Sequence, residues 1–135
     1  MSSTYTVTDY LLDRANIHDT VTKLPWYYDT RSEAGLLSEV FAPEVHIDYT
    51  RILGSEPSTV AATEWAPQVV RMCEHFDSSQ HIYGNLIIEL PQPNTPNHPD
   101  KAKVLVSQAG ASMVRAAAEG GPLLQNGCCL SALKW

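Results

Sequence analysis

Ile17, Val21, Leu24 and Tyr28 follow one another at steps of four, three and four residues. That spacing lays an apolar stripe along one side of a helix. Thr6 and Asp9 supply a start for it, because a Thr N-cap and an Asp three residues later can satisfy free backbone N–H groups. Pro25 interrupts the stripe and predicts a kink or a loosened last turn, since it has no N–H for the carbonyl of Val21. The helix is expected to end on Trp26-Tyr27-Tyr28-Asp29, with Tyr28 towards the core and Asp29 about 100° round at one border of the stripe. A second, short helix is expected from Glu33 to Phe41, stopped by Pro43.

The period then changes to two. Val45, Ile47 and Tyr49 share one face of a strand over 44–50, and His46, Asp48 and Thr50 share the other. After a linker holding Gly54 and Pro57, a third helix is expected from Ser58 to His75, carrying Val60, Trp65, Val69 and Met72. From Gln80 to Leu90 strict alternation puts Ile82, Gly84, Leu86, Ile88 and Leu90 on one face and His81, Tyr83 and Asn85 on the other. The stretch 91–100 contains four of the nine prolines and reads as a loop joining two antiparallel strands, with His98 in solvent. Lys101 to Ala111 resumes as strand, with Val104, Val106 and Gln108 on one side and Leu105, Ser107 and Ala109 on the other. Met113 to Glu119 fits a helical turn or a continued strand, Gly120-Gly121-Pro122 a turn, and the apolar residues 123–135 are weakly patterned. Helices first and mostly antiparallel strands afterwards argue for an α+β fold, with three helices on a curved sheet.

The chain of 135 residues has room for one domain, 1–135, with the proline loop inside it. A formal charge of −6 with nine scattered Lys and Arg argues against binding nucleic acid or an acidic membrane surface. No run approaches a membrane span, and Met1 to Tyr5 lacks signal-peptide form, so the cytoplasm is the expected compartment. Three cysteines without a CxxC pair read as small apolar residues. The histidines are too dispersed for a metal motif, and no cofactor is expected.

Chemistry concentrates in Gln80-His81-Ile82-Tyr83-Gly84-Asn85. A histidine on a rigid strand with polar neighbours at period two suits proton transfer in a wet pocket, although a strand with one solvent face has the same pattern. Tyr28 reads equally as a core tyrosine, and Asp29 as a turn residue.

Three segments together resemble the scytalone dehydratase-like branch of the SnoaL-like/NTF2-like superfamily: Tyr28-Asp29, Ile47-Asp48-Tyr49 and Gln80-His81-x-x-Gly84. Asp13-Arg14-x-x-Ile17 is also typical of it. The resemblance implies an NTF2-like cone in which Tyr28 and Tyr49 hold a water against a substrate carbonyl and His81 moves protons. It also implies that Asp29 pairs with a second histidine on a later strand. Here Ser107 stands at that place, so Asp29 is left to pair with His81. The expected activity is a cofactor-independent lyase or isomerase acting on a small cyclic oxygenated carbonyl compound of polyketide or terpenoid metabolism. His81, Asp29, Tyr28 and Tyr49 are its catalytic candidates, and Asn85, Tyr83, Ser107 and Trp26 its substrate contacts. A non-catalytic binding or interaction module is the alternative. The short C-terminal part suggests that the sheet lacks a last strand, and the apolar face of Ile82, Leu86, Ile88 and Leu90 suggests a homodimer through a sheet face.

Overall fold

The apolar stripe of the first helix is the wall against which the chain packs. In the computed structural model, which describes residues 4–74, 76–114 and 123–134, helix α1 spans Val7–Asp29 and buries Ile17, Val21 and Leu24. Its capping box is formed: Thr6 Oγ1 accepts from the Asp9 N–H at 3.1 Å and Asp9 Oδ2 accepts from the Thr6 N–H at 2.9 Å. The helix runs continuously through the buried Pro25 to Asp29. Arg31, at a φ of 54°, then turns the chain away in the left-handed region. A short helix α2, Glu33–Gly35, passes directly into a π-helical turn over Leu36–Val40 that closes with the Phe41 N–H on the Leu36 carbonyl at 2.8 Å.

Strand β1 covers Glu44–Ile47 and is followed by a single helical turn α3, Thr50–Leu53, which Gly54 ends at a φ of 68°. The expected third helix is corrected at its start. Ser58–Ala61 is strand β2, paired antiparallel with β1 from Glu44 opposite Ala61 to Ile47 opposite Ser58. Thr59 and Val60 are β-branched and suit an edge pair better than a first helical turn. Helix α4 then spans Ala62–Glu74 and buries Ala62, Ala66, Val69 and Cys73, while Met72 is exposed.

Strands β3 (Ser78–Glu89), β4 (Lys103–Val114) and β5 (Leu123–Lys134) form a second antiparallel sheet in that order. The weakly patterned C-terminal stretch is thus a full strand, paired with β4 along its length. The segments 115–122 and residue 135, with the turn expected at Gly120-Gly121-Pro122, lie outside the described residues.

The alternation expected across 80–90 does not hold. Gly84 faces Ser107 and Ile87 faces Leu105, so β3 spends one more residue than β4 over the same interval. That is a β-bulge, and Asn85 takes it up at a φ of 52°. Before the bulge His81 and Tyr83 point inward; after it Leu86 and Ile88 do, and they pack with Leu90 against Ile17, Val21 and Val104 under α1. Ile82 and Ile87 are the residues left on the outer face, 58% and 56% exposed. The face proposed for a dimer is therefore divided: three of its four apolar residues belong to the core.

The proline loop is tied to the start of the chain. The Tyr5 N–H bonds the Thr95 carbonyl at 3.0 Å and the Asn94 N–H bonds the Tyr5 carbonyl at 2.7 Å. The buried Asp13 accepts from the Tyr5 hydroxyl at 2.8 Å, and His98 Nε2 lies 3.3 Å from the same oxygen. His98 is thus exposed, as expected for the loop, and also has a partner there.

Gly35 lets α2 approach α1: a Cβ there would lie 2.3 Å from Cε1 of Tyr27, whose hydroxyl bonds Glu39. Gly35→Ala is expected to lower stability by about 1–3 kcal/mol in denaturant titrations. In a Tyr27→Ala background the same change should cost nothing.

Candidate active site

The site begins at the C-terminal end of α1, where Asp29 meets the free edge of β3. Its Oδ2 accepts the backbone N–H of His81 at 2.8 Å. Its Oδ1 takes the hydroxyl of Ser79 at 2.9 Å and lies 2.7 Å from His81 Nδ1. A carboxylate beside Nδ1 holds that nitrogen protonated, which leaves the Nε2 lone pair as the free basic position of the neutral ring. Both side chains are about four-fifths buried, with 19% of the His81 and 21% of the Asp29 side chain exposed. Gly110 lies opposite His81 on β4, and a Cβ there would touch the ring, 3.4 Å from Cδ2.

Tyr28, one residue before Asp29, stands edge-on to the imidazole with ring centroids 6.0 Å apart. Its hydroxyl is enclosed and hydrogen-bonded with Tyr49, and Tyr83 and Cys73 are close enough to act on it electrostatically. Burial, followed by these neighbours, holds the phenol well above its usual ionisation range. Tyr28 therefore stays a neutral O–H group at all ordinary pH values. Tyr49 also leans on Trp65 of α4 with ring centroids 6.0 Å apart. In a pair of bonded phenols one O–H is donated within the pair.

Of the residues singled out from the sequence, His81, Asp29, Tyr28, Tyr49 and Tyr83 come together. Three do not. Asn85 and Ser107 bond each other at 3.4 Å on the outer face of the sheet, because the bulge turns Asn85 away from His81 and Ser107 alternates away from Gln108 and Gly110. Trp26 is 66% exposed on the outer side of α1. Ser79 was missed, although it lies at period two from His81 and so shares its face. Arg31, whose guanidinium reaches the Phe76 carbonyl, gave no sequence signal beyond a charge after a helix. Among the described residues no three His, Cys, Asp or Glu side chains gather as metal ligands would.

The model of the SnoaL-like domain matches residues 9–131. The chain belongs to the SnoaL-like family. Its fold is the α+β NTF2-like one, shared with the Kfla4162 protein from Kribbella flavida at a TM-score of 0.75. That likeness spans 92% of this chain and 81% of the other at 16% identity. An NTF2-like protein of unknown function from Exiguobacterium sp. 255-15 is also similar, at 16% identity and a TM-score of 0.45, over 82% of this chain and 83% of that one. No curated protein matches the chain. The SnoaL-like family includes polyketide cyclases and isomerases, and domains of the NTF2-like fold commonly bind small molecules. No helix among the described residues is long and apolar enough to cross a membrane.

Two outcomes follow from this geometry. Ser79→Ala removes one of three donors to Asp29 and is expected to cost about 1–3 kcal/mol in chemical denaturation, the upper part reflecting a charged acceptor. The Tyr28 phenol is held above its ordinary value in the folded state. Above about pH 10 the unfolded chain therefore loses that proton while the folded chain keeps it, and stability falls as pH rises. Tyr28→Phe should flatten that alkaline decline in urea midpoints measured across the range.

Proposed function

We propose that the chain is a cofactor-independent lyase or isomerase that moves protons on a small cyclic oxygenated carbonyl compound, of the kind found in polyketide or terpenoid metabolism. The observation that carries this reading is the 2.7 Å contact between His81 Nδ1 and an Asp29 carboxylate that is itself held by Ser79 and by the His81 amide. A base oriented in this way has one free nitrogen, and that nitrogen is His81 Nε2.

Nε2 takes the proton from the carbon next to the substrate carbonyl, and the electron pair of the broken C–H bond moves onto the carbonyl oxygen as an enolate. Within the Tyr28–Tyr49 pair one phenol donates to its partner and the other donates to that oxygen, supporting the charge that develops. The resulting imidazolium is stabilised by Asp29. It returns the proton to a β-hydroxyl, which departs as water while the enolate collapses to a double bond. In a substrate with a β,γ double bond the enolate is a conjugated dienolate, and the imidazolium returns the proton to the γ carbon, so that the carbonyl re-forms and the double bond shifts to the α,β position. The same groups serve both outcomes, because each needs one proton taken and one returned. Tyr83 and Trp65 supply apolar surface beside the phenols, suited to a flat ring.

Incubating the protein in deuterated water with a panel of cyclic β-hydroxyketones and following masses tests this directly. Loss of one water marks dehydration, and deuterium gained without loss of mass marks enolisation. His81→Ala is expected to lower the rate by about 10²–10⁴, and Tyr28→Phe by about 10². A His81→Ala protein as fast as the wild type would overturn the reading. Compounds that bind but never exchange would make the protein a binding module instead.

A further inference from the structure

We infer that Arg31 is a positioning residue for His81, clamping the segment that leads into β3 so that the imidazole stays registered on Asp29. Arg31 lies two positions after Asp29, and their side chains grip the same short stretch of chain in complementary ways. Asp29 takes its donors, the Ser79 hydroxyl and the His81 N–H. Arg31 takes its acceptors: Nη2 bonds the Phe76 carbonyl and reaches the Asp77 carbonyl at 3.4 Å. Residues 76–81 are thereby held at both ends by the turn that closes α1.

Two features argue that this arrangement is kept for position. Arg31 is a non-glycine residue at a φ of 54°, a conformation that persists only where surrounding contacts impose it. Its Nε is buried without an acceptor, an uncompensated cost that a stabilising surface arginine would not carry. The left-handed turn is also what carries the Arg31 side chain back across the end of α1 towards residues 76 and 77. Cys73, at the end of α4, feels both the Asp29 and the Arg31 charges, so the two grips lie close together at the mouth of β3.

The importance of the clamp for turnover rests on His81 being the acid/base group, but its geometry can be read without any substrate. The probe is solvent exchange of the His81 Nδ1–H and of its backbone amide, observed by NMR of 15N-histidine-labelled protein. Arg31→Met keeps the aliphatic stem and removes every donor; Arg31→Lys returns one charge-assisted donor. Exchange at both protons is expected to be faster by about tenfold or more in Arg31→Met, as for the loss of a charge-assisted hydrogen bond, and intermediate in Arg31→Lys. Thr6→Ala, which removes the cap at the opposite end of α1, should leave both protons protected. Exchange in Arg31→Met within about twofold of wild type, the spread of an uncoupled site, overturns the inference. So does equal loss of protection in Thr6→Ala, which would make protection a matter of global stability. Should Arg31→Met not fold, Arg31→Lys alone decides: faster exchange supports the clamp, and wild-type exchange rejects it. Neither outcome depends on whether His81 turns over a substrate.

Discussion

A carboxylate at the C-terminal end of a helix sits against the negative end of the helix dipole, which disfavours it by about 0.3–1 kcal/mol. Asp29 is such a group, the last residue of α1. What keeps it there is the free edge of β3. Among the described residues no strand pairs with β3 on that side; the His81 N–H bonds the carboxylate, and Ser79 and the imidazole add two further donors. Helix and sheet edge thus satisfy each other, and the histidine is oriented as a by-product of that mutual need.

The same logic runs along the rest of that edge. Arg14 of α1 donates to the Ile88 carbonyl at 3.3 Å while its guanidinium stacks over Tyr10. Arg31 covers the chain just before the strand. Side chains of one helix and its closing turn therefore bond the chain just before β3, the strand at His81 and the strand near its end at Ile88. α1 also carries a second buried carboxylate near its beginning. Asp13, held by Tyr5 and His98, docks the N-terminal segment and the proline loop in the way that Asp29 docks the strand. The proline loop, though largely exposed, is part of how the helix start is secured.

Between these two anchors the bulge at Asn85 decides what each face of the sheet does. One extra residue inverts the alternation, so a single face can carry His81 and Tyr83 at one end and Leu86 and Ile88 at the other. Tyr83 stands at the junction and touches both apolar clusters. The polar part of the inner face serves the site, and the apolar part packs under Ile17 and Val21. Without the bulge, the residues that fill the core would lie on the opposite face from the histidine.

Much of this was legible in the order of residues. The stripe of Ile17, Val21 and Leu24, the Thr6–Asp9 cap and the alternation of Val45 and Ile47 are local periodicities, and local geometry translates them directly into elements, although the strand expected to reach Thr50 stops at Ile47 and Tyr49 instead starts a helical turn. The spacing of Tyr28-Asp29, Tyr49 and Gln80-His81-x-x-Gly84 was enough to point to the SnoaL-like family. What lay beyond reach was set by partners distant in sequence. Ser58–Ala61 is strand because β1 lies beside it, although its own pattern continues smoothly into α4. Asn85 and Ser107 left the site because a bulge is a mismatch between two strands, and neither strand alone records it. Ser79 and Arg31 acquired their roles only when the end of α1 met the beginning of β3, since a hydrogen bond across about fifty residues has no signature in either segment.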